Sequence, residues 1–421
     1  MKPSLRKQAF RVLKYLTGQI LKRYQPVVIA ITGSTGKTTT KDMIWHLLKN
    51  DYNVRATPKS ANGEVGTLAT IVGWQPPTVK KGGHSAYTSQ GISELALKAA
   101  RLAFGPRTSK YPDYLVLELG AGQPGEIKYF TDFLHPDVSV ITNVGAAHLE
   151  YFGNVERVLQ EKGLIFTHLK SIGTAVYRQD GEVARKLKNM AKGKKSLTFG
   201  FSKEADLWAS EVESGRDLHF NLHYKDKKLP VKLNLIGRHM IELALASLAA
   251  VLSWPVKGSD KVLKLSELVK KMADFKPSDA RMQMFKNKKL GMEVIDDAYN
   301  ANPESVFAGL VTLGEVAKEN QRKVAILGDM LELGKDEEKL HCQMGEAAAN
   351  MADLLITVGP KSKALAQSAQ NKNLRLQVLS FADVESLLPR LLGLLEKGDL
   401  VLVKASRGMQ LDKIVEALKV R

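Results

Sequence analysis

The run Val27 to Thr32, VVIAIT, is apolar or β-branched throughout and feeds directly into Gly33-Ser-Thr-Gly36 and a helical stretch, Lys41 to Lys49. A strand with no polar face has to be covered on both sides. That is the condition of a central strand in a parallel sheet flanked by helices. Tyr114 to Glu118 and Val138 to Thr142 are further short buried-strand patterns, with helical stretches between them. The chain therefore reads as α/β, and its elements as strands alternating with helices.

The same punctuation sets the expected domains. Residues 1–25 form a basic N-terminal helix, 26–277 a central domain on a parallel sheet, and 278–421 a smaller doubly wound, Rossmann-like domain. Within 76–112 lies an insertion whose first part, WQPPTVKKGGHSAYTSQG, has little regular pattern. Alternation in HFNLHY and VKLNL, between Leu218 and Leu235, predicts a small antiparallel appendage. Phe275-Lys-Pro-Ser-Asp279 reads as the boundary. Beyond it strand patterns return at Glu293 to Asp296, Val324 to Leu327, Leu354 to Val358 and Leu400 to Val403.

Bulk properties narrow the function classes. With 44% hydrophobic and 25% charged residues the chain has the balance of a folded soluble domain rather than of a disordered one. It has no apolar run long enough to cross a bilayer. Cys342 is the only cysteine, which excludes an internal disulfide and suits a reducing cytoplasm. The 62 Lys and Arg against 44 Asp and Glu, a net charge of +18, favour anionic ligands. No aromatic-rich basic motif accompanies that charge, and many lysines sit in mixed helical stretches such as Lys264 to Lys271, so nucleic acid is not an expected partner. In the N-terminal helix Leu13, Leu16, Ile20 and Tyr24 share one face. That face either packs on the following domain or touches an anionic membrane peripherally.

The turn after Val27 to Thr32 carries the first chemistry. The pattern G-x-x-x-x-G-K-[ST] would need a glycine five residues before Gly36, where Ile31 stands; Gly33 lies three before. The context is nevertheless that of a phosphate site, a strand end followed by a helix start whose N–H groups are unpaired. Gly33 and Gly36 permit close backbone approach, Lys37 neutralises phosphate oxygens and Thr38 offers a hydroxyl to Mg²⁺. Ser34, Thr35 and Thr39 complete the candidate cradle.

In this shortened form, G-[ST]-x-G-K-T-[ST], the loop resembles that of the Mur ligase superfamily. Six further stretches fall in the order found there: LELGAGQPGEI (117–127), ITNVGAAHLEYFG (141–153), QEKGLIF (160–166), DDAYNANPES (296–305), LGDMLELG (327–334) and VLVKASRGMQLDKIV (401–415). Together they resemble the MurF type, which adds D-alanyl-D-alanine to the muramoyl tripeptide. The resemblance implies a P-loop central domain and ATP-dependent amide formation. A peptidyl carboxylate is activated as an acyl phosphate and joined to an amino acid or dipeptide. It implies ATP and two magnesium ions, with Thr38 and Glu118 holding the first and His148 and Lys162 the second. Lys162 would carry a CO₂-derived carbamate. Lys37, His148 and Lys162 are the implied catalytic residues. Asn143, His239, Arg281, Asp297 and Asn300 match nucleotide-contacting places. Asp329 is expected to receive the incoming ammonium, and Lys404, Ser406 and Arg407 to hold the acceptor's carboxylate. A cytoplasmic monomer is the corresponding expectation.

Two departures accompany the resemblance. About 25 residues precede the P-loop strand, so the UDP-sugar-binding domain that usually begins this branch is expected to be absent. The usual G-x-H-N-x-x-N-A appears as Gly237-Arg-His-Met-Ile-Glu-Leu-Ala244, with Met240 and Leu243 where amides would meet the adenine. Base discrimination is expected to weaken accordingly. Two alternatives stay open: a Mur-type ligase with another carboxylate acceptor, such as a glutamyl one, and a non-catalytic membrane-associated homologue.

Overall fold

The computed structural model describes residues 3–59, 61–75, 88–253 and 263–419. Most of the irregular piece expected within 76–112, namely 76–87, lies outside the described residues. The chain divides into two compact units, neither continuous in sequence: residues 1–143, 160–207 and 245–271, and residues 144–159, 208–244 and 272–421.

The first unit opens with helix α1, Pro3–Tyr24. Leu13, Leu16, Ile20 and Tyr24 are all buried. Tyr24 stacks on Tyr111 with ring centroids 4.2 Å apart, and Arg23 donates to the Ala103 carbonyl at 2.8 Å. Each fully buried side chain of this size contributes about 1.5–3 kcal/mol, so the apolar face of α1 is committed to its own unit.

Six parallel strands follow: β1 (Val27–Thr32), β2 (Val54–Ala56), β3 (Tyr114–Glu118), β4 (Val138–Ile141), β5 (Thr174–Arg178) and β6 (Lys195–Gly200). They lie in the order β2-β3-β1-β4-β5-β6. Every residue of β1, β3 and β4 is buried, as strands without a polar face require. β1 pairs β3 on one side, Ile31 opposite Glu118, and β4 on the other, Thr32 opposite Ile141. Strand order thus turns back at β1, and a crevice forms outside the carboxyl ends of such neighbours. Helix α2, Lys37–Leu48, starts four residues earlier than the sequence pattern suggested. Gly36, at φ 76°, turns the chain from loop to helix in one step, which a side-chain-bearing residue would resist.

In the second unit β7 (Leu207–Ser214), β8 (Leu218–Tyr224) and β9 (Lys227–Leu233) form the expected antiparallel appendage. β8 and β9 pair from Leu218 opposite Leu233 to Tyr224 opposite Lys227. A six-stranded sheet follows, built from β10 (Gln283–Lys286), β11 (Glu293–Asp296), β12 (Lys323–Gly328), β13 (Leu354–Val358), β14 (Gln377–Phe381) and β15 (Leu400–Lys404). Its order is β10-β11-β15-β12-β13-β14, with only β10 antiparallel. Val294, Val324, Ile326, Ile356, Val401 and Val403 centre its core. The sequence pattern did not predict β10 and β14. Both are edge strands with partly exposed residues, so neither shows the apolar run that marks the inner strands.

Candidate functional site

At the carboxyl end of β1 the chain is held by backbone and neighbouring strand ends before any ligand is considered. A Cβ at Gly33 would sit 1.9 Å from the Thr142 hydroxyl, so no larger residue fits there. Ser34 N–H donates to the Asn143 carbonyl at 3.0 Å. Thr35 N–H donates to the Asn143 side-chain oxygen at 2.8 Å, and Thr142 donates to the Thr35 carbonyl at 2.5 Å. Asn143, expected at the nucleotide, thus uses its side-chain oxygen to shape the loop. Lys37 Nζ donates to the Gly33 carbonyl at 2.7 Å, which keeps its charge over the turn. Thr39, also expected in the cradle, is buried in the first turn of α2.

Glu118, 1% exposed at the end of β3, joins this loop. It accepts from the Thr38 hydroxyl at 2.8 Å on Oε2 and from Asn62 Nδ2 at 2.8 Å on Oε1. Its own N–H donates to the Thr57 hydroxyl at 3.0 Å. Magnesium is commonly held by one or two protein oxygens, the rest coming from water and phosphate. The Thr38 and Glu118 oxygens, side by side at the phosphate loop, fit that donor set. Among the described residues no group of three or more His, Cys, Asp or Glu side chains gathers as a metal cage, and this donor set does not call for one.

Two residues of this arrangement, Lys41 and Asn62, were not anticipated from sequence. Lys41, 1% exposed, donates to the carbonyls of Thr57 at 2.8 Å and Lys59 at 2.7 Å. It thereby ties α2 to the loop that carries Thr57 and Asn62. Its placement one helical turn after Lys37 was the available signal. Asn62-Gly63 following a short strand was the corresponding signal for Asn62.

Lys162 is buried in the helix Val155–Thr167. Burial, and then the charge of Lys37, hold its ammonium well below the usual lysine range, against the opposing pull of Glu161 and Glu126. Glu161 itself accepts from the N–H groups of Gly125 at 2.9 Å and Ile127 at 2.8 Å. A buried amine biased to its neutral form is the state that can add CO₂, so Lys162 fits a carbamate chemically.

The second unit holds the remaining expected residues. His148, at φ 55°, places Nδ1 2.5 Å from Glu332 Oε2; a carboxylate partner of this kind orients an imidazole and fixes its tautomer. Lys404 is paired with Asp297 and donates to the Asn300 carbonyl at 2.9 Å. At 2% exposure its ammonium faces inward, toward Asp297. The cause is local: Asp297 follows β11, β11 lies beside β15, and a buried cation takes the nearest carboxylate. Burial pushes the Asp297 carboxyl up and Lys404 opposes that shift. Arg281 lies over the Tyr299 ring, 3.9 Å from its centroid. Arg407 donates to the Tyr299 hydroxyl at 2.8 Å. Tyr299, not anticipated from sequence, therefore sets the positions of both arginines.

Asp329 is buried and accepts from Ser362 N–H at 2.7 Å. Ser406 N–H donates to the Asp329 carbonyl at 3.1 Å, and Leu331 N–H to the Ser406 hydroxyl at 2.9 Å. Asp329 and Ser406 are thus brought together. His239 is partly buried, and burial together with the Lys404 charge lowers its imidazole to about 4. Met240 is buried and Leu243 partly so.

Comparison with known proteins places this arrangement. Residues 31–251 match the family described as "Mur ligase middle domain", and residues 280–407 "Mur ligase, glutamate ligase domain". The UDP-N-acetylmuramoyl-tripeptide–D-alanyl-D-alanine ligase of Bacillus subtilis is 30% identical over 408 residues, 96% of this chain and 79% of that protein. The crystal structure of MurF from Acinetobacter baumannii superposes with a TM-score of 0.79 at 26% identity, covering 97% of this chain and 80% of that one. The MurF ligase of Thermotoga maritima, solved in complex with ADP, gives 0.75 at 26% identity over 97% and 83% of the two chains.

Proposed function

This chain belongs to the Mur ligase family, and from that premise we propose that it is an ATP-dependent ligase joining a peptidyl carboxylate to D-alanyl-D-alanine. The observation that carries the proposal is the loop 33–38 with Thr38 bonded to Glu118 at the point where strand order turns back. The carboxylate oxygen attacks the γ-phosphorus of ATP, ADP leaves, and an acyl phosphate results. The dipeptide amine then attacks the acyl carbon, loses a proton and expels inorganic phosphate, leaving the amide.

Two anions meet in the first step, so positioned positive charge and N–H donors lower the barrier most. Loop N–H groups and Lys37 hold the phosphates. Thr38 and Glu118 would hold magnesium, with His148 and a carbamylated Lys162 assigned to a second ion; bound there, magnesium supplies charge neutralisation between phosphate and carboxylate. On the second unit Arg281, Asp297, Asn300 and His239 are assigned to the nucleotide, and Asp329, Lys404, Ser406 and Arg407 to the dipeptide. Lys404 opposes the upward push that burial gives the Asp297 carboxyl. Because Met240 and Leu243 offer no amide to the base, GTP is expected to replace ATP with less than about a tenfold loss.

The test is ADP release with a panel of UDP-muramoyl peptides, each with and without D-alanyl-D-alanine. Release that needs both substrates is the expected result. Turnover only with a different carboxylate overturns the acceptor and keeps the ligase; no turnover with any carboxylate overturns the catalytic reading. Acceptors lacking the UDP-sugar belong in the panel too, because they separate recognition of the sugar from recognition of the peptide.

A further inference from the structure

A groove of about 970 Å³ lies at the amino-terminal ends of β1, β4 and β5, the end of the sheet opposite the phosphate loop. Its wall is the outer face of α1, where Arg11, Tyr15, Gly18 and Lys22 follow one another at helical spacing. A Cβ added at Gly18 would meet nothing within 4 Å, so the groove is open along the helix. Tyr15 is 60% and Ile172 62% exposed on its margins, and Val12, 53% exposed, adjoins them on α1.

The charge balance of the lining is one-sided. Asp132 is met by Lys14 at 3.1 Å and Lys128 at 2.7 Å. Asp137 accepts from Val28 N–H at 2.8 Å and from Lys170 at 2.7 Å. Both acids are therefore satisfied within the protein, while Arg11 and Lys22 form no ion pair among the described residues. The result is an apolar floor with an uncompensated cationic rim. A free phosphate would use the rim and leave the exposed tyrosine and aliphatic side chains without purpose. Single-stranded nucleic acid would need a series of stacking rings along a basic track, and this face offers one exposed ring beside aliphatic groups. A bilayer interface uses all of it, since tyrosine sits at headgroup level, aliphatic groups below and Arg or Lys at the phosphates.

We propose that the outer face of α1 and the groove beside it dock the protein on an anionic phospholipid surface, with lipid phosphate at Arg11 and Lys22 and an acyl segment between Tyr15 and Ile172. The apolar face of α1 takes no part, because it is buried in the protein.

Co-sedimentation of the full chain with vesicles of phosphatidylcholine alone, and of phosphatidylcholine and phosphatidylglycerol in equal parts, tests this. Binding is expected to the second and not the first. Arg11→Glu with Lys22→Glu, and separately Tyr15→Ser with Ile172→Ser, should each lower the partition constant by about fivefold or more. Lys225→Glu with Lys227→Glu, exposed in the β8–β9 turn, makes the same change in net charge and should lower it far less. Unchanged thermal melting certifies that each variant is folded. The proposal is overturned by failure to pellet with phosphatidylglycerol, by an equal loss in the β8–β9 control, or by full binding in the Tyr15 and Ile172 variant. Displacement by millimolar inorganic phosphate at constant ionic strength would mean an ion site instead. A solution mass of two chains that the groove variants reduce to one would mean a second copy occupies the groove.

Discussion

Glu118 shows how much chemistry rests on a single buried side chain. Thr38 and Asn62 each donate to one of its oxygens, so its orientation is set from both sides. Glu118→Gln keeps the shape and removes the charge; ADP formation at saturating ATP is expected to fall about a hundredfold, with more magnesium needed for half-maximal rate. A magnesium titration of initial rates checks both. Lys162→Ala is expected to be comparably inactive while still binding nucleotide, measured by calorimetric ADP titration beside the turnover assay. His239 makes a different kind of prediction. Its imidazole titrates near 4 in the folded chain against an ordinary 6.5. On acidification the unfolded chain takes up that proton first, so stability is lost as pH falls from 6.5 towards 4. His239→Gln should flatten this part of the curve of melting temperature against pH.

At the level of elements, the loop after β1 is rigid because three separate segments hold it. Residues 142 and 143 clamp its backbone, α2 carries Thr38, and the 57–62 loop brings Asn62 to Glu118. Lys41 fastens the last of these to α2. Lys41→Met removes two hydrogen bonds to buried carbonyls without touching ATP. The magnesium concentration for half-maximal activity is expected to rise about tenfold while ADP affinity stays within about twofold, since the change acts through Asn62 on Glu118. Equal losses in both would make Lys41 a simple stability residue. In α1, Ile20→Ala leaves a cavity and should cost about 2–5 kcal/mol in denaturant unfolding, because Ile20 is completely buried.

Across each unit as a whole, the folded chain is secured by contacts between segments far apart in sequence. In the second unit, Arg216 at the β7–β8 turn makes two bonds of 2.6 Å to Glu293 at the start of β11, and Gln321 adds a third at 3.2 Å. Arg216 is the first cause of the fall of the Glu293 carboxyl to about 2 from an ordinary 4.5. A depressed carboxylate contributes stability that is complete above pH 4.5 and lost as pH falls towards 2. Arg216→Met should weaken unfolding resistance at neutral pH and flatten the acid limb below pH 4.5, as followed by circular dichroism.

The strands β1, β3, β4, β11, β12, β13 and β15 and the phosphate loop were legible in the sequence, because a strand covered on both faces has to be apolar and a turn approached by backbone has to be glycine; the inner strand β5 was not. The edge strands β10 and β14 were not, since a half-exposed strand carries no such demand. The order of motifs along the chain was enough to identify the family and its residue types. Which partner each polar side chain meets was settled only by folding: Lys404 turns inward to Asp297, Lys41 reaches the 57–62 loop, and Asn143 accepts from the loop at Thr35. Sequence spacing specifies a side chain's chemistry and its place on a strand or helix. Its partner depends on which strands the sheet sets side by side, and pairing such as β11 with β15 joins residues more than a hundred positions apart.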